Sequence, residues 1–196
     1  MKALSDLRPH IDRGQRLPDM AVLASRLPES FKSELSQMGF NPAPLRALGF
    51  NKSSDENWSL PWHQDRVIAM PRKEPDPQFK NWSRKSGVWH CEPSADILEE
   101  IAFAYIAFDD IPNEAGGLEI AEGTHRYGAI TESKISGRVQ AARLIQPNMI
   151  AGQVLLVSAL TLHRSAPMKF KENRRALRVD FGSAALNLSR KRTDAP

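Results

Sequence analysis

The sequence predicts a mainly β chain with N-terminal helices, folded as a double-stranded β-helix of the jelly-roll or cupin-like kind. Three observations lead there. Residues 1–42 carry apolar side chains at helical spacing, whereas from Pro44 onward the pattern changes to short extended runs. Those runs, about eight of them, are punctuated by Gly, Pro, Asn and Asp, as in a sandwich or barrel and unlike a parallel sheet. No long helical pattern separates them, which leaves a closed two-sheet architecture with a buried mouth.

Taken in order, Pro18-Asp19 followed by Met20, Val22, Leu23 and Leu27 marks one short helix. Pro28-Glu29-Ser30 followed by Phe31, Leu35 and Met38 marks a second that ends at Gly39. The expected strands are Leu45–Phe50, Val67–Met70, Val88–Cys91, Ile101–Phe108, Leu118–Ala121, Val139–Ile145, Gln153–Ser158 and Ala176–Phe181. A helical piece falls around Thr131–Ile135. Residues 71–87, with Pro71, Pro75, Pro77 and Gly87, read as the longest irregular connection and a lid candidate. The expected organisation is one domain over 1–196: a helical scaffold (1–42), a jelly-roll core (43–184) and a polar tail (185–196).

Composition narrows the class. With 196 residues, 41% hydrophobic and 26% charged, the chain is long enough for a real core and ordinary for a globular protein. Apolar runs such as Val154–Leu162 are too short to span a bilayer. The single cysteine, Cys91, can form neither an internal disulfide nor a Cys-rich metal site. No targeting segment is visible at Met1–Asp6, so the expected compartment is the cytoplasm. A net charge of +4 is mild and favours acidic small molecules as readily as nucleic acid; with no dense basic stripe, the expected partner is a small-molecule substrate, not nucleic acid or a membrane. The basic cluster Arg190-Lys191-Arg192 reads as a solvated end.

Chemistry gathers at Trp62-His63-Gln64-Asp65 and at His163. On an extended segment His63 and Asp65 share a face, because strand side chains alternate. A third ligand from a distant strand, His163, would complete two imidazoles and one carboxylate, the usual ligand set of a non-haem Fe(II) oxygenase. By itself a His-x-Asp pair is common, and its bland counterpart is a turn in which Asp65 caps a backbone amide. His163 follows the apolar Val154–Val157 and is placed at the end of a central strand. Beyond it, alternation puts Arg174, Ala176, Arg178 and Asp180 on one face, and Arg175, Leu177, Val179 and Phe181 on the other. A buried arginine needs an anionic partner, and the far carboxylate of a dicarboxylate co-substrate can supply one.

These residues resemble the phytanoyl-CoA dioxygenase family of Fe(II)/2-oxoglutarate oxygenases. The resemblance rests on Trp62–Asp65, on Glu114–Arg126, and on His163 to Arg174, and it covers roughly residues 43–184. Glu114–Arg126 is similar to the family's Asn-Gly-Pro-Leu…Pro-Gly-Ser-His-Arg run, with Gly116-Gly117-Leu118 and Ala121-Glu122-Gly123 as departures confined to turns. The resemblance implies Fe(II) on His63, Asp65 and His163, with Arg174 clamping the C5-carboxylate of 2-oxoglutarate. It also implies Ser165 as a helper and Tyr105 beside the co-substrate. The function it implies is hydroxylation of a C–H bond of a small-molecule substrate, with release of succinate and CO2. Retention of Asp65 speaks against the halogenating branch.

The alternative is a metal-binding cupin without oxygen chemistry, an isomerase or small-molecule binding module holding Zn(II) or Mn(II) on the same ligands. A nucleic-acid demethylase is disfavoured because Arg174, Arg175 and Arg178 lack the spacing of that group's arginine pair. Lys52, Asn57 and Trp58 are candidates to reach co-substrate or substrate, as is Arg178. His90 and the His125-Arg126 pair read as structural, Gln64 and Trp62 as packing residues pointing away from the ligands, and His10 as exposed.

Overall fold

The computed structural model describes residues 16–17, 19–169, 173–186 and 188. His10, the helix-preceding Pro18 and the Arg190-Lys191-Arg192 cluster lie outside the described residues.

Among the described residues two helices come first, α1 (Met20–Arg26) and α2 (Glu29–Gln37). The Asp19 side chain accepts from the Val22 amide at 2.9 Å and so satisfies one orphan N–H at the start of α1. Gly39, at φ +85°, closes the stretch after α2. Eleven strands follow: β1 (Arg46–Lys52), β2 (Leu60–His63), β3 (Ile68–Met70), β4 (Phe79–Lys85), β5 (Val88–Pro93), β6 (Ile101–Ala107), β7 (Leu118–Ala121), β8 (Leu144–Ile145), β9 (Val154–Ser158), β10 (His163–Ser165) and β11 (Arg174–Gly182). Two further helices interrupt them, α3 (Ala95–Glu99) and α4 (Glu132–Gln140).

The strands form two four-stranded sheets, ordered β1-β11-β6-β9 and β2-β10-β7-β8, and a smaller one ordered β3-β5-β4, with every pairing antiparallel. Setting aside β3–β5, the chain passes back and forth between the two larger sheets, which is the double-stranded β-helix. Between the sheets lie Phe103, Tyr105, Ile120, Val157 and Ala176. The opposite face of the first sheet (Ala104, Ile106, Leu177, Val179, Phe181) is covered by Leu23, Leu27 and Leu35 from α1 and α2. Outside the second sheet, Ile135 and Val139 of α4 pack with Trp62 against Ala121, Ile130 and Leu162. No helix among the described residues is long and apolar enough to cross a membrane.

Three expectations need correction. Residues 71–87 are not one irregular loop, because β4 runs through them and joins β5 in a hairpin. Its two turn residues, Ser86 and Gly87, have φ of +49° and +80°, the left-handed pair of a type I′ turn. Asn81, at φ +52°, breaks the register of β4, so its side chains do not alternate and its charged residues disguise the strand. Val139–Ile145 is not a strand throughout: Val139 belongs to α4, four residues beyond Ile135 on the same partly buried face, and only Leu144–Ile145 pairs as β8. His163 does not end a central strand. The strand before it, β9, is an edge strand that stops at Ser158, and His163 opens β10 in the other sheet.

A candidate metal centre and co-substrate pocket

His63 is the last residue of β2 and His163 the first of β10, and the two are register partners. Their rings lie 4.4 Å apart, centroid to centroid. Asp65 sits two residues past His63, its amide donating to the Ala159 carbonyl at 3.1 Å. Gln64, between them, points the other way and is fully used. Its Nε2 donates to Gly128 O at 2.9 Å and Leu160 O at 2.6 Å, and its Oε1 accepts from Ile130 N at 2.7 Å. That clamp fixes the backbone so that its two neighbours face inward.

One ligand atom from each of His63, Asp65 and His163 lies within 4.8 Å of the others. His63 Nδ1 is 2.7 Å from the Pro61 carbonyl, and His163 Nδ1 is 2.9 Å from the Thr161 carbonyl. A carbonyl only accepts, so each Nδ1 carries the proton and each Nε2 presents its lone pair. Such backbone support is the usual outer partner of a metal-ligating imidazole. Burial, followed by His163, pushes the His63 pKa down and keeps that ring neutral, as a ligand must be. Burial alone would raise the Asp65 carboxyl, but the Arg178 guanidinium with His163 overrides it and holds it well below the usual range. Two imidazoles and one ionised carboxylate fit a divalent cation of the Fe(II) type.

The three line a cavity of about 210 Å³ whose walls include Leu48, Phe50, Trp58, Tyr105 and Leu118. Arg174, the first residue of β11, also lines it and is 3% exposed. Its Nη1 donates to the Tyr105 hydroxyl, while its Nε has no hydrogen-bond partner. Among the described residues no carboxylate pairs with it. Ser165 is 5% exposed, donates to Gly116 O at 2.8 Å and accepts from Lys52 Nζ at 2.7 Å. Lys52, fully buried, meets only neutral acceptors: Ser165 Oγ, Gly116 O and Ala166 O. Burial, and then Arg174, lowers its pKa to about 7. Gly116, at φ +63°, lets the backbone approach, since a Cβ there would lie 2.4 Å from the Ala166 carbonyl.

All six expected site residues, His63, Asp65, His163, Arg174, Ser165 and Tyr105, therefore meet at one cavity, joined by Lys52 and Trp58. Asn57 instead clips the loop after β10, exchanging hydrogen bonds with Met168 at 2.7 Å each way. His90 is buried away from the cavity with Nδ1 3.0 Å from Val88 O, and His125-Arg126 forms a turn outside it. Cys91 is free and buried, its thiol pushed up to about 11. The role sequence reasoning did not foresee is that of Arg178, which binds Asp65 and Asp180. The alternation placing Asp180 on the same face was the available signal.

Residues 14–176 match the family described as phytanoyl-CoA dioxygenase (PhyH). The chain belongs to that family. Phytanoyl-CoA dioxygenase family members use Fe(II) and 2-oxoglutarate. No curated protein matches the chain. Among solved structures, HygX from Streptomyces hygroscopicus, with nickel, 2-oxoglutarate and hygromycin B bound, is similar at 17% identity and a TM-score of 0.56, over 96% of this chain and 81% of HygX. AviO1 from Streptomyces viridochromogenes Tue57 aligns at 18% identity and a TM-score of 0.55, over 82% of this chain and 60% of AviO1. EctD from S. alaskensis aligns at 14% identity and a TM-score of 0.51, over 71% of this chain and 44% of EctD. The chain thus spans less than two thirds of AviO1 and of EctD. At these identities the likeness concerns the fold.

Proposed function

We propose that the protein is an Fe(II)/2-oxoglutarate-dependent dioxygenase that hydroxylates a C–H bond of a small molecule. The reaction consumes O2 and 2-oxoglutarate and releases succinate and CO2; one oxygen atom goes to the substrate and one to succinate. The observation that carries it is a single cavity holding both the three converging ligand atoms and a buried guanidinium that has no acidic partner among the described residues.

Fe(II), held by His63, Asp65 and His163, supplies the oxygen chemistry. The chain's own residues do the rest. His63 and His163 offer Nε2 because their Nδ1 protons are engaged by backbone carbonyls. Arg174 takes the far carboxylate of 2-oxoglutarate in a charge-assisted pair, its guanidinium steadied by the Tyr105 hydroxyl. Ser165 and Lys52 stand beside it as further donors. Leu48, Phe50, Trp58 and Leu118 keep water out and suit an apolar stretch of substrate next to the metal.

Titrating anaerobic protein and Fe(II) with 2-oxoglutarate is expected to develop a weak visible charge-transfer band, lost in His163→Ala. Wild-type protein without that band counts decisively against the oxygenase. Succinate release over a metabolite panel then finds the substrate. Arg174→Ala separates the non-oxygenase cupin, where metal uptake persists and 2-oxoglutarate never mattered.

A further inference from the structure

Arg178 shares a face with Arg174, yet its surroundings differ completely. Its Nη1 donates to Asp65 Oδ2, and its Nε donates to Asp180 Oδ1 at 2.7 Å. Asp180 Oδ2 accepts in turn from Arg46 Nε and Nη2, both at 2.7 Å. The result is a charge-balanced chain, Arg46–Asp180–Arg178–Asp65, running from β1 through β11 to the loop that carries the metal carboxylate. The guanidinium carbon also sits 4.2 Å from the centre of the Phe103 ring, which packs on His163 at 5.3 Å.

Asp65 lies beyond the end of β2, so no sheet ladder fixes its side-chain torsion. β11 is an interior strand, bonded to β1 on one side and β6 on the other, so Arg178 projects from a rigid element. An ionised carboxylate has about four lone-pair sites, so a guanidinium and a metal ion can share it.

We infer that Arg178 is a positioning residue for the metal: it holds Asp65 in its ligating orientation and is itself held by the Asp180–Arg46 pair. This rests on the metal centre proposed above. Unlike Arg174, Arg178 has its charge matched within the chain, with Nε on Asp180 and Nη1 on Asp65, so its first role is toward the metal carboxylate and not the co-substrate.

The test is Co(II) binding to wild type, Arg178→Met and Arg178→Lys, by calorimetry and by the visible d–d spectrum, without co-substrate or turnover. Loss of a carboxylate's outer partner typically weakens metal binding about 10–100-fold. Arg178→Met is expected in that range with an altered d–d spectrum. Arg178→Lys, which keeps the charge but loses the fork, is expected to recover part of the affinity. On Co(II)-loaded protein the 2-oxoglutarate Kd should change within about threefold. A folded Arg178→Met with wild-type affinity and spectrum overturns the inference while the metal centre stands. Wild type that takes up no Co(II) overturns both. Should Arg178→Met fail to fold, Arg178→Lys decides: weaker binding with a shifted spectrum supports the role, and wild-type behaviour overturns it.

Discussion

The two ends of the cavity hold the same kinds of charged side chain under opposite rules. At the metal end, Arg46, Asp180, Arg178 and Asp65 pair in sequence, two cations with two anions, and the charges cancel inside the protein. At the other end Arg174 and Lys52 are buried side by side, and among the described residues they meet neutral acceptors only. Burying a charge without a counter-charge is costly, so folding alone gives no reason for the second arrangement. The difference teaches where a counter-charge is missing: an anion belongs at the Arg174 end, whereas at the Asp65 end it is the three converging ligand atoms, not a charge deficit, that point to a metal ion.

The largest expected effect is at the metal end. His163→Ala removes one of three ligands and should abolish detectable Fe(II) uptake and succinate formation, measured by calorimetry and coupled assay. Retained metal binding would falsify the triad.

Next comes Arg174→Met. Truncating one partner of a buried charge pair costs about 2–5 kcal/mol, so 2-oxoglutarate binding should weaken roughly 30-fold or more, with Fe(II) binding nearly unchanged. Because Arg174 has no acidic partner among the described residues, the same variant should melt higher without co-substrate, by about 2–4 °C for each kcal/mol gained. Arg178→Met should melt lower, since it strands a carboxylate. Equal shifts in the two melts would erase the contrast between the ends.

Gly116→Ala tests the packing behind Lys52. A left-handed conformation costs a non-glycine residue about 1–2 kcal/mol. Here the new Cβ would also meet the Ala166 carbonyl at 2.4 Å and Lys52 Nζ at 3.1 Å. Urea unfolding should show a loss larger than the backbone cost alone.

A smaller effect concerns pH. Lys52 titrates near 7 in the folded chain against an ordinary 10.5, so between those values the unfolded chain binds more protons. Stability without co-substrate therefore rises with pH across that window. The rise should disappear in Lys52→Met and flatten when saturating 2-oxoglutarate places a carboxylate beside the amine. Urea midpoints at several pH values, wild type minus variant, check the sign. The smallest effect is expected from Arg164→Ala: this rim arginine, over the Trp62 ring and paired with Glu119, is solvated, and its loss should change stability by about 0–1 kcal/mol.

How much of this was legible in the chain depends on the range of the interaction. Local patterns sufficed for α1 and α2, for the alternating faces of β11, and for the outward turn of Gln64, because a side chain's direction follows from backbone period alone. They failed at β4, where a left-handed Asn81 breaks the alternation, and at Val139, where an apolar residue suits helix and strand equally.

The sequence by itself determined the β-rich fold, the His63–Asp65 pair and the arginine-bearing face through short spacings, and His163 as third ligand through the order of its motifs. Only the tertiary structure decided which arginine faces an anion of its own chain and which, among the described residues, faces none. That difference arises from Asp65 and Asp180, brought to Arg178 by strand pairing and loop closure, and from Lys52 of β1, brought close to Arg174. Electrostatics inside a protein acts over a few ångströms of space, and no count of residues along the chain measures those distances.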